Sequence, residues 1–137
     1  MSRAGQADPQ AEPPLGGALV LAADDAGTLA RFYAALLGKE PRQGLTADHW
    51  RLPWPAGGWL EIYVPSRQRP RPRRQGRLAL CLHRSRAGGD PVARLTGWVD
   101  LVSSQGAVLL EPPRQESFGA EAWLADPEGN PFLLLVN

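Results

Sequence analysis

The order of predicted elements in this chain repeats once, on either side of a segment rich in arginine and proline. Residues 16–64 predict a short apolar strand, an amphipathic helix and three more strands, and residues 77–137 predict the same order again. Residues 65–76 alternate proline with arginine, and because proline blocks helix and ladder formation we interpret them as a linker. Residues 1–15 are small, polar and proline-containing, which predicts a disordered tail. We therefore expect an α+β protein with one domain, 16–137, built from two βαβββ modules.

Each module contains one well-marked helix. The pair Asp24-Asp25 offers an N-cap for the first helix, and Gly38 offers its C-cap. Asp90 offers the N-cap of the second helix, with Pro91 at the first helical position. Residues 107–110 predict a strand, which the pair of prolines that follows is expected to end.

The composition and charge of the chain exclude several classes of function. A net charge of +1 gives no field that would steer nucleic acid, and the arginine-rich linker has no interleaved aromatic residues to stack on bases. No apolar run approaches the about 20 residues of a membrane helix, and the first residues lack the apolar core of a secretory signal. We therefore expect a cytoplasmic protein with neither a nucleic-acid nor a membrane partner. The single cysteine, Cys81, excludes an internal disulfide and a cysteine-cluster metal site, and we interpret it as a small buried hydrophobic residue.

One predicted strand, residues 59–64, contains the side chain that most needs a partner. Glu61 lies among hydrophobic neighbours, and a carboxylate on a mostly buried strand must be paired, protonated or bound to a cation. Strand alternation puts the aromatic residues two positions before and after Glu61 on its own face. These residues would form a pocket with aromatic walls and one carboxylate, which suits a flat or cationic organic molecule. The residues expected to line it with Glu61 are Trp59, Tyr63, Trp50 and Trp123.

Two phrases of the sequence resemble a known superfamily. One is FYAALLG at residues 32–38, and the other is DPEGNP at residues 126–131, which runs into the last predicted strand. At this spacing they resemble the vicinal oxygen chelate superfamily, which includes glyoxalase I, extradiol dioxygenases and the fosfomycin- and bleomycin-resistance proteins. The resemblance implies curved mixed sheets around a cavity. Because many members are dimers, it also implies a homodimer.

The resemblance implies four metal-ligand positions, one on the first strand and one on the last strand of each module. In this sequence the four positions fall at Ala18, Glu61, Arg77 and Leu133. Only Glu61 has a donor atom for a divalent metal, because Arg77 is a permanent cation and the other two side chains are apolar. We therefore expect no metal and no cofactor, with Arg77 as the partner of Glu61. The superfamily's positions do not bring His49 and His83 to Glu61, so we interpret both as ordinary strand-end or surface histidines.

These expectations favour a metal-free binding protein of the glyoxalase and bleomycin-resistance type, with a small organic ligand held in an aromatic-walled cavity. One alternative is a metal-dependent or metal-independent enzyme of the same superfamily, acting as a lyase, isomerase or dioxygenase. Another is an interaction protein that uses the arginine-rich linker. Glu61 is the only catalytic candidate. Because the metal site is incomplete, the sequence favours binding over catalysis.

Overall fold

The computed structural model describes residues 16–66 and 78–137 of the chain. The predicted tail, the linker from residue 67 onward and Arg77 therefore lie outside the described residues. The helices and strands, in chain order, are β1 Ala18–Ala22, α1 Ala26–Leu37, β2 Arg42–Gln43, β3 His49–Pro53, β4 Trp59–Tyr63, β5 Leu80–Arg84, α2 Pro91–Ser104, β6 Val108–Glu116, β7 Gly119–Ala125 and β8 Pro131–Val136. None of these helices is long and apolar enough to cross a membrane.

The strands form two four-stranded sheets with matching topology. The order is β1-β4-β3-β2 in module one and β5-β8-β7-β6 in module two. In each sheet the first strand of the module pairs in parallel with the last strand, while the other pairings are antiparallel. The predicted fold class, two βαβββ modules with mixed sheets, is confirmed.

Both helices begin where the sequence predicts. The side chain of Asp25 accepts a hydrogen bond from the Thr28 backbone N–H, and Gly38 ends α1 in the left-handed conformation at φ 65°. The side chain of Asp90 accepts from the Ala93 backbone N–H in the same way, with Pro91 opening α2.

Strand β6 differs from the prediction, because it continues through the two prolines that were expected to end it. It lies at the edge of its sheet and pairs only with β7. The register shifts between Leu109 and Glu111 and again between Glu111 and Arg114. An edge strand accommodates proline because one side needs no ladder bonds, and bulges absorb the remaining mismatch.

One buried core joins the two modules. Helix α1 packs against β3 and β4 of its own sheet, and α2 packs against β6, β7 and β8. The ring of Phe132 in β8 also lies 5.9 Å from the ring of Phe32 and 6.3 Å from the ring of Tyr33, centroid to centroid, both in α1. The inner faces of both sheets therefore bury their apolar side chains against the same core.

Polar contacts reinforce this junction at the turn between β7 and β8. The hydroxyl of Tyr33 donates to the buried carboxylate of Asp126 at 2.7 Å. The carboxylate of Glu128 accepts from the backbone N–H groups of Asp24 and Asp25, at 2.7 and 2.8 Å. A negative charge at this point also complements the N-terminus of α1. The DPEGNP phrase therefore connects module two to the first helix of module one.

Candidate functional site

The outward side of the first sheet carries the polar residues of module one. We call it the module-one open face; its members are Ala18, Val20, Ala22, Arg42, His49, Arg51, Pro53, Trp59, Glu61 and Tyr63, which the strand register aligns on one side. The intervening residues Leu60 and Ile62 are fully buried on the other side. Glu61 consequently points away from the core.

Glu61 is held by two neighbours through a single oxygen. Its Oε1 lies 2.7 Å from Nε2 of His49 and 3.0 Å from Nε of Arg51. The side chains of Glu61, His49 and Arg51 retain 21%, 16% and 35% of their solvent exposure. No hydrogen bond from any residue in 16–66 or 78–137 reaches the other oxygen, Oε2. That oxygen remains able to accept a bond from another molecule.

The hairpin between β3 and β4 creates this cluster. The Trp54 backbone N–H donates to the Gly58 carbonyl at 3.1 Å, and Gly57 and Gly58 adopt φ values of 100° and 76° that favour glycine. With this loop the antiparallel register places Arg51 directly opposite Glu61. His49 lies one pair further along on the same face, within reach of the same carboxylate.

The loop between β2 and β3 fixes the orientation of the His49 ring. The backbone N–H of Leu45 donates to Nδ1 of His49 at 2.9 Å. Since Nδ1 accepts a hydrogen bond, the ring proton resides on Nε2, which donates it to Glu61. Gly44 is required for this arrangement because a Cβ there would collide with the His49 ring. The imidazole is therefore held as a neutral donor with both nitrogens in use.

Two guanidinium groups stack on the indole of Trp59. The central guanidinium carbon of Arg51 lies 4.3 Å from the ring centroid, and that of Arg42 lies 5.3 Å from it. The two arginines face each other across the β2–β3 ladder. Both distances are within the range of cation–π attraction. The cluster thus contains two permanent positive charges and one carboxylate.

A groove opens where β1 and β4 begin, and it shares Trp59 with this cluster. Its volume is about 640 Å³, which lies within the range of small-molecule sites. The residues that line it are Gly16, Gly17, Ala18, Leu19, Trp54, Gly57, Gly58 and Trp59.

The structure brings together some of the residues predicted to form the pocket. Trp59, Glu61 and Tyr63 share the module-one open face as expected. Trp50 pairs with Ile62, so it belongs to the opposite side of the sheet, where it packs against the core. Trp123 lies in the other module. Arg77, the predicted partner of Glu61, falls outside the described residues, and the role of all these residues in binding stays a prediction.

The two partners that Glu61 has in the structure, His49 and Arg51, are not among the predicted site residues. A signal for them exists in the sequence. Five residues separate Pro53 from Trp59, and pairing these two across a hairpin puts Arg51 opposite Glu61. The resemblance places the site residues on the first and last strands of each module, whereas Arg51 lies on β3.

The donor atoms around Glu61 do not fit a divalent metal. Val20 lies beside Glu61 in β1 and supplies no donor, and Leu133 in β8 supplies none either. Nε2 of His49 already donates to the carboxylate, and the permanent positive charge of Arg51, whose Nε lies 3.0 Å from Oε1, would repel a divalent cation. Among residues 16–66 and 78–137 there is no group of three or more His, Cys, Asp and Glu side chains that could hold an ion.

Module two presents a different outward surface, which we call the module-two open face. Its members, aligned by the register, are Cys81, His83, Glu111, Arg114, Glu116, Glu121, Trp123, Leu133 and Leu135. Cys81 is exposed there, so its interpretation as a buried residue is wrong. Partial burial, with the nearby Glu121 carboxylate, nevertheless raises the pKa of its thiol. Arg114 donates to Glu116 at 2.6 Å and to Glu121 at 2.7 Å.

Paired βαβββ modules, with a polar and aromatic cluster on an outward sheet face, define the class of this protein. A family model described as a glyoxalase-like domain matches residues 18–135. The chain therefore belongs to the glyoxalase-like family, within the vicinal oxygen chelate superfamily. No curated protein matches the chain significantly.

Solved structures share the fold at low sequence identity. A hypothetical protein from S. aureus has a TM-score of 0.71 at 15% identity, with 92% of this chain and 96% of that chain covered. A glyoxalase-related enzyme from Fulvimarina pelagi has a TM-score of 0.65 at 19% identity, covering 90% of this chain and 88% of that one. A glyoxalase/bleomycin resistance protein/dioxygenase family enzyme from Burkholderia phytofirmans has a TM-score of 0.63 at 14% identity, covering 87% and 95%. At these identities the likeness concerns the fold alone.

Proposed function

We propose that this protein binds a small organic molecule on the module-one open face without the help of a metal. The observation that carries the proposal is the fixed carboxylate of Glu61, whose Oε1 is held by His49 and Arg51 while Oε2 has no described partner. A preorganised acceptor beside an aromatic ring is the usual composition of a small-molecule site. The groove next to Trp59 offers room for the body of a ligand.

The geometry gives His49 a positioning role and not an acid–base role. A general base or acid must have a nitrogen or oxygen that reaches the substrate. In His49, Nδ1 accepts from Leu45 and Nε2 donates to Glu61, so neither nitrogen is left for a substrate. The histidine therefore positions Glu61, and Glu61 in turn presents one oxygen to the ligand.

Ligand titration with a matched pair of tryptophan variants tests this proposal. The chain has five tryptophans, and two of them, Trp59 and Trp98, lie beneath a guanidinium group. In a screen of diverse charged and neutral organic compounds, we expect saturable fluorescence quenching by at least one compound. The quenching should be lost in Trp59→Phe. It should be kept in Trp98→Phe, because Trp98 lies in α2, away from the module-one open face. No saturable quenching by any compound, or quenching that persists in Trp59→Phe, would contradict the proposal.

We further propose that a second copy of the chain covers these faces in a homodimer. The module-two open face carries partly buried apolar side chains, Trp123, Leu133 and Leu135, which the register aligns on one side. Burial of these side chains supports contact between module one of one copy and module two of the other. Val20, which is 65% exposed beside Glu61, would be buried by this contact.

The oligomeric state of two lysine variants tests the dimer. Leu135→Lys puts a positive charge among the apolar side chains of the module-two open face, where contact with the partner would bury it. Leu45→Lys is the matched control, because Leu45 is 92% exposed in the loop between β2 and β3. By sedimentation velocity we expect a dimer for the natural chain and for Leu45→Lys, and a monomer for folded Leu135→Lys. A monomeric natural chain at all concentrations, or a dimer unaffected by Leu135→Lys, would contradict this arrangement.

A further inference from the structure

We propose that the ligand of the module-one open face is a small organic acid, whose carboxylate Arg42 and Arg51 recognise and whose hydroxyl or other donor group bonds to Oε2 of Glu61. This inference rests on the proposed function of that face and adds the chemical class of the ligand. The sequence predicted a flat or cationic ligand because only the residues around Glu61 were considered. The structure adds two cationic groups to this face, Arg42 and Arg51, so the expected ligand charge is reversed.

The charges of the cluster leave a positive surplus. Glu61 contributes one negative charge, and Arg51 and Arg42 contribute two positive charges. His49 adds no charge, since its Nδ1 accepts the Leu45 N–H and the ring therefore carries a single proton. A cationic ligand would meet net repulsion here, whereas an anion would complete the balance.

The arginines also have donors to spare. Arg51 uses its Nε for Glu61, which leaves the fork of terminal N–H groups without a hydrogen bond to any described residue. Arg42 makes no ion pair or side-chain hydrogen bond within the described ranges, and its contact there is with the ring of Trp59. A guanidinium fork matches the two oxygens of a carboxylate, and charge-assisted bonds of this kind are about twice as strong as neutral ones.

Trp59 holds these donors in place. Both guanidinium carbons lie within 5.3 Å of its ring centroid, so stacking restricts the two side chains before any ligand arrives. The guanidinium groups also compete with a nucleobase for contact with the indole ring. The arrangement therefore fits a small carboxylate better than a single-stranded nucleic acid.

Three probes of equal shape and different charge test the ligand class. The 4-hydroxy derivatives of benzoate, benzamide and benzamidine, named below by their parent compounds, share a planar ring and a hydroxyl donor for Glu61, and are anionic, neutral and cationic at neutral pH. Binding is followed by calorimetry and by the NMR signal of the Trp59 indole N–H, which is identified through Trp59→Phe. We expect the natural chain to bind benzoate about tenfold or more tightly than benzamide, and benzamidine more weakly still. The preference for benzoate should decrease as salt is added.

Two glutamine variants test whether Arg42 causes the preference for benzoate over benzamide. Arg42→Gln should lower benzoate affinity by about five- to tenfold and benzamide affinity by clearly less, because only benzoate offers a carboxylate to the guanidinium. Arg94→Gln on the exposed side of α2 is the matched control and should behave like the natural chain.

The outcomes separate this inference from the proposed function. Binding of benzamide or benzamidine at Trp59 as tightly as benzoate would overturn the inference and leave the binding function standing. Unchanged benzoate affinity in Arg42→Gln, or no saturable benzoate binding, would also overturn the inference. An oligothymidine that binds more tightly than benzoate and displaces it in an Arg42-dependent way would replace the small anion with nucleic acid.

Discussion

Across the middle of the first sheet, the register aligns Val20, Glu61 and Arg51. Across the second sheet, the corresponding strands align Cys81, Leu133 and Trp123. The two modules therefore share a topology while their outward faces differ in chemistry. The inner faces must be apolar because they pack in the shared core, whereas the side chains of the outward faces are not restricted in this way. This difference teaches that one module can hold ionised side chains in the middle of its sheet while the other has apolar side chains at the matching positions.

The turns that precede the last strands differ as well. In module two the turn at residues 126–130 bonds to α1 through Asp126 and Glu128. In module one the turn at residues 54–58 makes no hydrogen bond to α2 among the described residues. The polar connection between the modules is therefore one-sided. Glu128 of module two thus adds two hydrogen bonds at the start of α1 to the N-cap that Asp25 supplies within module one.

The largest expected effect separates the inner face from the outward face. Phe132→Ala removes a fully buried ring that contacts Phe32 and Tyr33, so we expect a loss of about 3–5 kcal/mol in the free energy of unfolding. Leu133→Ala, the next residue in the same strand, should cost about 1 kcal/mol or less because it points outward. Urea unfolding measures both values. Equal losses would show that the two faces do not differ as described.

The next effect concerns the one-sided connection between the modules. Tyr33→Phe removes the hydroxyl that donates to buried Asp126, and we expect a loss of about 1–3 kcal/mol at neutral pH. Asp126 keeps its bonds from Asn130 and from the Glu128 N–H, so the turn should remain formed. Urea unfolding gives the loss, with Tyr63→Phe on the module-one open face as the control. A loss no larger than that of Tyr63→Phe would contradict the role of this contact.

The same hydroxyl predicts a dependence on alkaline pH. Burial, and secondarily the Asp126 carboxylate, raise the pKa of Tyr33 above the 10.0 of an unperturbed tyrosine. The folded chain thus keeps a proton that the unfolded chain releases above pH 10. The stabilisation is complete below this pH and declines above it by up to about 1.4 kcal/mol per pH unit. Unfolding measured from pH 8 to 11 should bring the natural chain and Tyr33→Phe closer together, and parallel curves would contradict this.

A smaller loss of stability is expected when Glu61 of module one is replaced by leucine, the residue at the matching position of module two. Glu61→Leu introduces the residue found at Leu133 and leaves His49 and Arg51 without their acceptor. We expect a loss of about 1–2 kcal/mol, because both side chains are partly exposed and can turn to water. The NMR signal of the His49 Nε2 proton should exchange faster with water. An unchanged exchange rate would mean that Glu61 does not hold this proton.

The smallest effect concerns the thiol of Cys81. It is exposed on the module-two open face, yet partial burial and Glu121 raise its pKa. Ellman's reagent at pH 8 should therefore modify it more slowly than a free cysteine, since the thiolate is the reactive form. Glu121→Gln should speed the reaction slightly, and Glu40→Gln on module one should leave it unchanged. A thiol that reacts faster than free cysteine would contradict the raised pKa.

Much of the fold could be predicted because its signals are local. The helix caps at Asp25 and Gly38, and the alternation that puts Trp59 and Tyr63 beside Glu61, depend on residues close in sequence. The prediction for Cys81 was wrong because alternation groups residues on a face without saying which face meets the core. That choice depends on how the modules pack.

The partners of Glu61 could be predicted only by also working out how β3 pairs with β4. Hairpin register relates Arg51 to Glu61, but the resemblance pointed to positions on the first and last strands of each module. Trp50 illustrates the converse, because its aromatic character suggested a pocket wall while its pairing with Ile62 puts it on the core side. The side of a strand therefore decides the role of a residue more firmly than its type does.

The contact of Glu128 with the start of α1 has a consequence for the order of folding. It joins residues 104 positions apart in the chain. Closing so long a loop carries an entropic cost that must be met before the contact contributes, and contacts of this range form slowly. During synthesis, helix α1 leaves the ribosome long before the turn that bonds to its N-terminal end exists. We therefore expect the first module to reach its final stability only after the second has been made, so that the two halves mature together.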